Sequence, residues 1–276
     1  MKMKLEFLLL GLISIFSFSN ISGQKIVTGK IINRETNEPV EYVNIGIQGK
    51  ETGTVSDNQG NFQLLIADKN LNDTLTVSCI GFNIAKVGIS KLINADHKNI
   101  LLTEKAIDLK EILVKPKKYK TRILGITAKN KKILGGFTEN KLGYELGVAM
   151  SAKKTAYIRK INLNIASCEY DTVFYRLNVY EGTLKHGFEN IMREPFYFKI
   201  PKSQIKDKIS IDVQKLNLVV RGNFLVTLEY VKDLGKGGLY FPISVFNKSY
   251  ARKTSQGEWK TTPVGISLNI EADVEQ

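Results

Sequence analysis

A chain of 276 residues with a formal net charge of +13 holds one large or two ordinary domains, and two is the expectation. The charge is unevenly spread: residues 24–114 carry 10 basic against 11 acidic side chains and residues 161–276 carry 15 against 13, whereas residues 115–160 carry 13 basic residues against only Glu139 and Glu145. An exported chain rarely meets nucleic acid, so this concentration points to phosphate-bearing lipid headgroups or an acidic protein surface, with a solvated linker held open by like-charge repulsion as the alternative.

Export is expected from the first element. Lys2 and Lys4 precede the apolar run "FLLLGLISIFSF" and the small polar stretch "SNISG". That run is too short to span a bilayer and has the layout of a signal peptide over residues 1–23. The only cysteines, Cys79 and Cys168, sit inside apolar strand-like runs, where a free thiol packs as a small hydrophobe. Neither follows the signal closely enough to carry a lipid anchor.

From Gln24 onward short strand-like runs alternate with turn residues: "KIVTGKII", "VEYVNIGI", "NFQLLI", "TLTVSCIGF", "AKVGI" and "NILL". Spacing of about a dozen residues between turns predicts a small sandwich or barrel. Alternation around Val40, Tyr42, Val43 and Ile45 predicts a half-buried strand. Within "TGTVSDNQGNFQL" the acidic and amide residues raise the question of a calcium loop. A helix-loop-helix site starting at Asp57 would need its glycine at the sixth position, where Phe62 stands, and strands flank the segment. A turn fits better, with Asp57 and Asn58 bonding to nearby backbone and Gly60 taking positive φ.

The stretches "GKIINRETNEPVEYVNIGI", "GTVSDNQGNFQL" and "LTVSCIGF", followed by "LKEILV", resemble the carboxypeptidase-regulatory-like domain common at the start of exported and outer-membrane proteins of the bacteroidete group. Gly29, Pro39, Asn44, Gly53, Thr54, Asp57, Gly60, Phe62, Ser78, Gly81 and Phe82 occupy the positions of its pattern. The resemblance covers the first third of the chain and implies a transthyretin-like β-sandwich over 24–114, a structural or interaction module without catalysis of its own. "LKEILVKP" resembles the strand that leads into the plug and barrel of TonB-dependent transporters. The rest of the chain is too short to build such a barrel.

Residues 115–141 read as a basic linker whose "KTRILGITAKNKKILGGF" is ambiguous between loop and short helix. Its candidate binding residues are Lys115, Lys117, Lys118, Lys120, Arg122, Lys129, Lys131 and Lys132. Residues 142–276 contain eight or nine strand-like runs, from "GYELGVAMS" to "VGISLNIEA", which predict a second, jelly-roll-like sandwich and an all-β protein overall. In "VFYRLNVYE", Val173, Tyr175, Leu177 and Val179 alternate with Phe174, Arg176, Asn178 and Tyr180, giving one apolar and one mixed face. "GKGG" at 235–238 reads as a hairpin turn.

Catalytic patterns are weak. His186 and Glu189 have the H-x-x-E spacing that opens a zinc carboxypeptidase site, yet no histidine follows to serve as third ligand, and His97 lies upstream. No G-x-S-x-G occurs. Among acids in strand-like runs, Glu169, Asp171, Glu181 and Glu229, alternation favours solvated faces, and nothing singles out a pair. The chain is therefore expected to be non-enzymatic, without cofactor or metal. The strongest binding signal is aromatic: "SYARKTSQGEWKT" sets Tyr250 and Arg252 on one arm of a probable hairpin and Trp259 on the other. Packing across the hairpin, a protein interface and a sugar-stacking platform are the three readings. The expected role is an accessory subunit in the periplasm or peripheral at the outer membrane, working with an outer-membrane protein complex. A carbohydrate-binding module built on Trp259 is the alternative.

Overall fold

The computed structural model describes residues 23–95, 98–106 and 118–276. The signal-like segment, His97, Lys115 and Lys117 lie outside them. Among the described residues the protein is almost entirely β, and no helix there is long and apolar enough to cross a membrane.

Seven strands form the first sandwich: β1 (Gln24–Asn33), β2 (Asn44–Ile47), β3 (Gly53–Val55), β4 (Asn61–Ala67), β5 (Thr74–Ser78), β6 (Ala85–Gly88) and β7 (Asn99–Leu102), with a short helix α1 (Ile89–Ile93) before β7. They make two sheets in the orders β4-β1-β7 and β3-β2-β5-β6. Phe62, Leu64 and Ile66 point inward from β4 at period two and meet Ile45, Leu75 and Val77 of the other sheet in one apolar core. The predicted alternation around Val40 and Tyr42 is not a strand. These residues form a turn in which Tyr42 takes φ 50°, and β2 begins at Asn44 and is buried along its whole length.

The stretch opening the calcium question is a turn. Asp57 Oδ1 accepts from the backbone N–H of Gln59 and of Asn61, both at 2.8 Å, and Gly60 has φ +74°. A Cβ at Gly60 would be driven into the Ile31 carbonyl, so glycine is required for closure as well as for conformation.

The second half contains β8 (Tyr119–Gly125), β9 (Leu134–Phe137), β10 (Glu145–Asn164), β11 (Ser167–Cys168), β12 (Thr172–Thr183), β13 (Gly187–Asn190), β14 (Phe196–Pro201), β15 (Lys208–Asp212), β16 (Val219–Glu229), β17 (Leu239–Ser244), β18 (Tyr250–Arg252), β19 (Lys260–Thr261), β20 (Gly265–Ile266) and β21 (Leu268–Glu275). Two expectations change here. The stretch left open between loop and helix contributes two strands, β8 on β21 and β9 on β17, because it finds sheet edges to complete. The "GKGG" segment joins β16 and β17, which lie in different sheets, so it is a crossover loop and not a hairpin turn.

Strand β10 organises this half. It is 20 residues long and carries register shifts between Ala152 and Ala156 and between Ile158 and Lys160. Its first part lies between β16 and β18, and its last part between β15 and β21. Bulges re-aim a strand and increase its twist, which lets one strand serve two ends of a large sheet. The smaller sheet of β9, β11, β17 and β20 covers the inner face: Phe137 lies 4.6 Å from Tyr175, and Tyr175 lies 5.9 Å from Tyr230.

Candidate functional site

The mixed face of β12 is not solvated. Arg176, Asn178 and Tyr180 are buried and meet two buried carboxylates, Glu145 at the start of β10 and Glu229 at the end of β16. The register explains the meeting, since Glu229 is paired with both Glu145 and Arg176. Arg176 donates Nε and Nη2 to Glu229 Oε2 at 3.0 and 2.8 Å. Asn178 Nδ2 donates to both acids, at 2.8 Å to Glu229 and 3.0 Å to Glu145. Glu145 Oε1 also accepts from Tyr180 Oη at 2.9 Å and from the Thr227 hydroxyl, and its Oε2 accepts from Arg252 Nε at 2.7 Å. Two guanidinium and two carboxylate groups thus share one water-poor seam with no net charge, the condition under which buried ions are tolerated.

Their titration differs. Burial raises Glu145, helped by the neighbouring Glu229 charge and opposed by Arg252. Burial also pushes Glu229 upward, but Arg176 and Arg252 outweigh it and hold this carboxyl below the ordinary range. Glu229 therefore contributes stability that is complete above the ordinary carboxylate value and is lost as pH falls through its own lowered value. Glu145 has the opposite sign, its contribution being complete at low pH and drawn down as pH rises through its raised value. The expected result is that Glu229→Gln lacks the acid-side loss of the parent protein when urea midpoints are compared from about pH 3 to pH 7. An unchanged acid limb in that variant would assign the loss elsewhere.

The seam also joins the two sandwiches. Arg176 Nη1 donates to the Tyr42 carbonyl at 2.6 Å, and the Tyr42 ring packs on Phe174 at 5.4 Å and Tyr197 at 5.1 Å. Beside it, residues 253–259, the loop between β18 and β19, sit on β2 and β3. Ser255 Oγ donates to Asn44 Oδ1 at 3.0 Å, Gln256 Nε2 donates to Ser78 Oγ at 2.7 Å, and Gly49 N donates to Gln256 O at 2.9 Å. A Cβ at Gly46 or Gly53 would strike the Ser255 carbonyl, and one at Gly143 the Ser255 backbone, so three glycines make the socket. Asn44, Gly53 and Ser78, which carry the family resemblance, are thus the residues on which the second half is seated.

The aromatic hairpin is seen clearly in this setting. Arg252 lies 5.0 Å from the centre of the Trp259 ring while bonding Glu145, and Trp259 meets Tyr180 and Phe188 edge-on at 5.8 and 5.7 Å. Tyr250 packs on Phe188 at 5.9 Å. These rings therefore lid the polar seam, with one face of Trp259 occupied by Arg252.

The described members of the basic set lie apart from the seam. Lys118, Lys120 and Arg122 are exposed on or beside β8, which pairs only with β21 among the described strands. Lys129, Lys131 and Lys132 are exposed on the loop to β9, and Lys131 pairs with Asp207 at 2.7 Å. His186 is exposed in the turn between β12 and β13. Both cysteines are free and half-buried, and burial raises each thiol. Sequence reasoning passed over Glu145 and placed Glu229 on a solvated face. The available signal was an arginine and an asparagine alternating with apolar residues in one strand, a pattern that calls for buried acceptors when both faces are covered.

Residues 27–114 match the family model described as CarboxypepD_reg-like domain. The chain is 31% identical over 107 residues to the TonB-dependent receptor SusC of Bacteroides thetaiotaomicron, covering 39% of this chain and 10% of the receptor. Among solved structures, the VP2 subviral particle of infectious bursal disease virus aligns over 92% of this chain and 65% of VP2, at 10% identity and a TM-score of 0.19. At that score the alignment carries no argument.

Proposed function

With a CarboxypepD_reg-like domain as its first unit, we propose that this chain is an exported, non-enzymatic accessory subunit of the bacterial envelope that docks on an outer-membrane protein complex, such as one built around a TonB-dependent receptor. The observation that carries the reading is the basic edge strand. Lys118, Lys120 and Arg122 are exposed on an ordered element whose outer backbone edge is unpaired among the described strands, a place where an acidic segment can add as a further strand. The similarity to SusC supports the envelope setting, and the seated sandwiches give the docking strand a rigid base.

The test is purification of the tagged protein from its native membranes in mild detergent, with co-purifying proteins identified by mass spectrometry. A stoichiometric outer-membrane protein is expected with the parent. Replacing Lys118, Lys120 and Arg122 by Glu should reduce its recovery by tenfold or more, since like charges across an interface are strongly repulsive. Equal recovery with the triple variant would remove the edge strand from the reading, and recovery of the parent alone would remove the partner.

A further inference from the structure

A second exposed surface lies at one end of the C-terminal half. Strand β17 runs into residues 244–248, and β9 is entered from residues 129–134. Pro242 is paired with Leu134, and Ile243 N donates to Ile133 O, so both segments leave the same end of the small sheet. A Cβ at Gly265 would meet Asn247 of the second segment and Ile126, a few residues ahead of the first. The Lys131–Asp207 pair brings residues 205–208 to the same place.

The side chains displayed there are of two kinds. Phe246 is 95% exposed, Val245 55% and Ile133 56%, in a protein whose other aromatic side chains are mostly packed. Around them the three segments carry six lysines, at 129, 131, 132, 206, 208 and 248, against Asp207 as the single acid. An aromatic tip at full exposure gains little in water, and although Lys131 pairs with Asp207 and Lys208 lies 3.9 Å from Glu271, the lysine fringe keeps an excess of positive charge. Both properties are satisfied together by an anionic lipid surface, in which apolar side chains enter the boundary of the acyl region while lysines reach the headgroup phosphates.

We propose that this tip, formed by residues 129–134 and 244–248, is a peripheral membrane-binding site for anionic lipid, with Phe246 as the inserted side chain and Lys129, Lys132 and Lys248 as headgroup contacts. The inference rests on the envelope reading above, and a test with pure lipid separates it from docking on a protein. An acidic protein surface would suit the lysines, but gives no comparable reason for an isolated, fully exposed phenylalanine.

The experiment is co-sedimentation of the purified protein with vesicles of phosphatidylcholine alone and of phosphatidylcholine mixed with phosphatidylglycerol. Binding to the anionic vesicles only, weakened by salt, is expected. Phe246→Ser should weaken it by about tenfold or more, the order expected for losing one buried aromatic side chain. Lys132→Glu with Lys248→Glu should weaken it at least as much. All these positions are exposed, so the variants should keep the parent's circular dichroism and thermal midpoint. In Phe246→Trp, quenching of an added emission component by brominated acyl chains would place the side chain in the bilayer. No binding to anionic vesicles, or equal binding by Phe246→Ser, would overturn the proposal and leave the tip to a protein surface.

Discussion

Arg176→Met is expected to destabilise the protein by about 3–5 kcal/mol, the cost of leaving a buried carboxylate without its partner. Three of the four donors accounted for at the Glu229–Tyr42 end of the seam are the Arg176 nitrogens, two on Glu229 and one on the Tyr42 carbonyl. Glu229 Oε1 has no donor among the described residues, so without Arg176 the carboxylate would keep only the Asn178 amide as a direct donor, with Arg252 farther off. The loss should reach both halves, because Tyr42 holds positive φ at the junction and the guanidinium secures its carbonyl. Urea unfolding would read the midpoint and the breadth of the transition. The double variant Arg176→Met with Glu229→Leu is expected to recover a large part of the loss, since apolar replacement of a whole buried pair is often close to neutral. A single variant within about 1 kcal/mol of the parent would mean that the seam is hydrated and the ions are not truly buried.

Gly53→Val is expected to unseat the loop at 253–259 from the first sandwich. The added side chain would occupy the space of the Ser255 carbonyl, and β3 cannot yield because Gly53 is paired with Gly46 on β2. Overpacking of this kind costs about 1–3 kcal/mol. Displacement of the loop also gives up the Ser255–Asn44 and Gln256–Ser78 hydrogen bonds, each worth about 1 kcal/mol. The readouts are a lower thermal midpoint and faster proteolysis in the loop, with Gly88→Ala as a control at a site where a Cβ meets only the edge of ordinary contact. If Gly53→Val matched that control, Ser255 would not be seated as tightly as the geometry indicates.

The seam and the socket change the meaning of two groups of residues. Tyr250, Arg252 and Trp259 stand out in the sequence as a binding signal, but Arg252 is tied to Glu145 and the rings close over that ion pair. Asn44, Gly53 and Ser78 stand out as marks of a domain family, and here they also receive the chain's second half.

Local pattern alone determined the all-β class, six of the seven strands of the first sandwich though not the turn at Val40–Tyr42, the Asp57–Gly60 turn and the concentration of basic charge, because period-two burial and turn chemistry act over a few residues. Sequence could not place β8 and β9, since their pairing depends on edges supplied by β21 and β17 more than a hundred residues away. Nor could it pair Arg176 with Glu229 and Arg252 with Glu145. An arginine in a strand reads as solvated until a second layer covers it, and only the meeting of β10, β12 and β16 decides that Arg176, Glu145 and Glu229 are buried with Arg252 nearly so, and with whom each pairs.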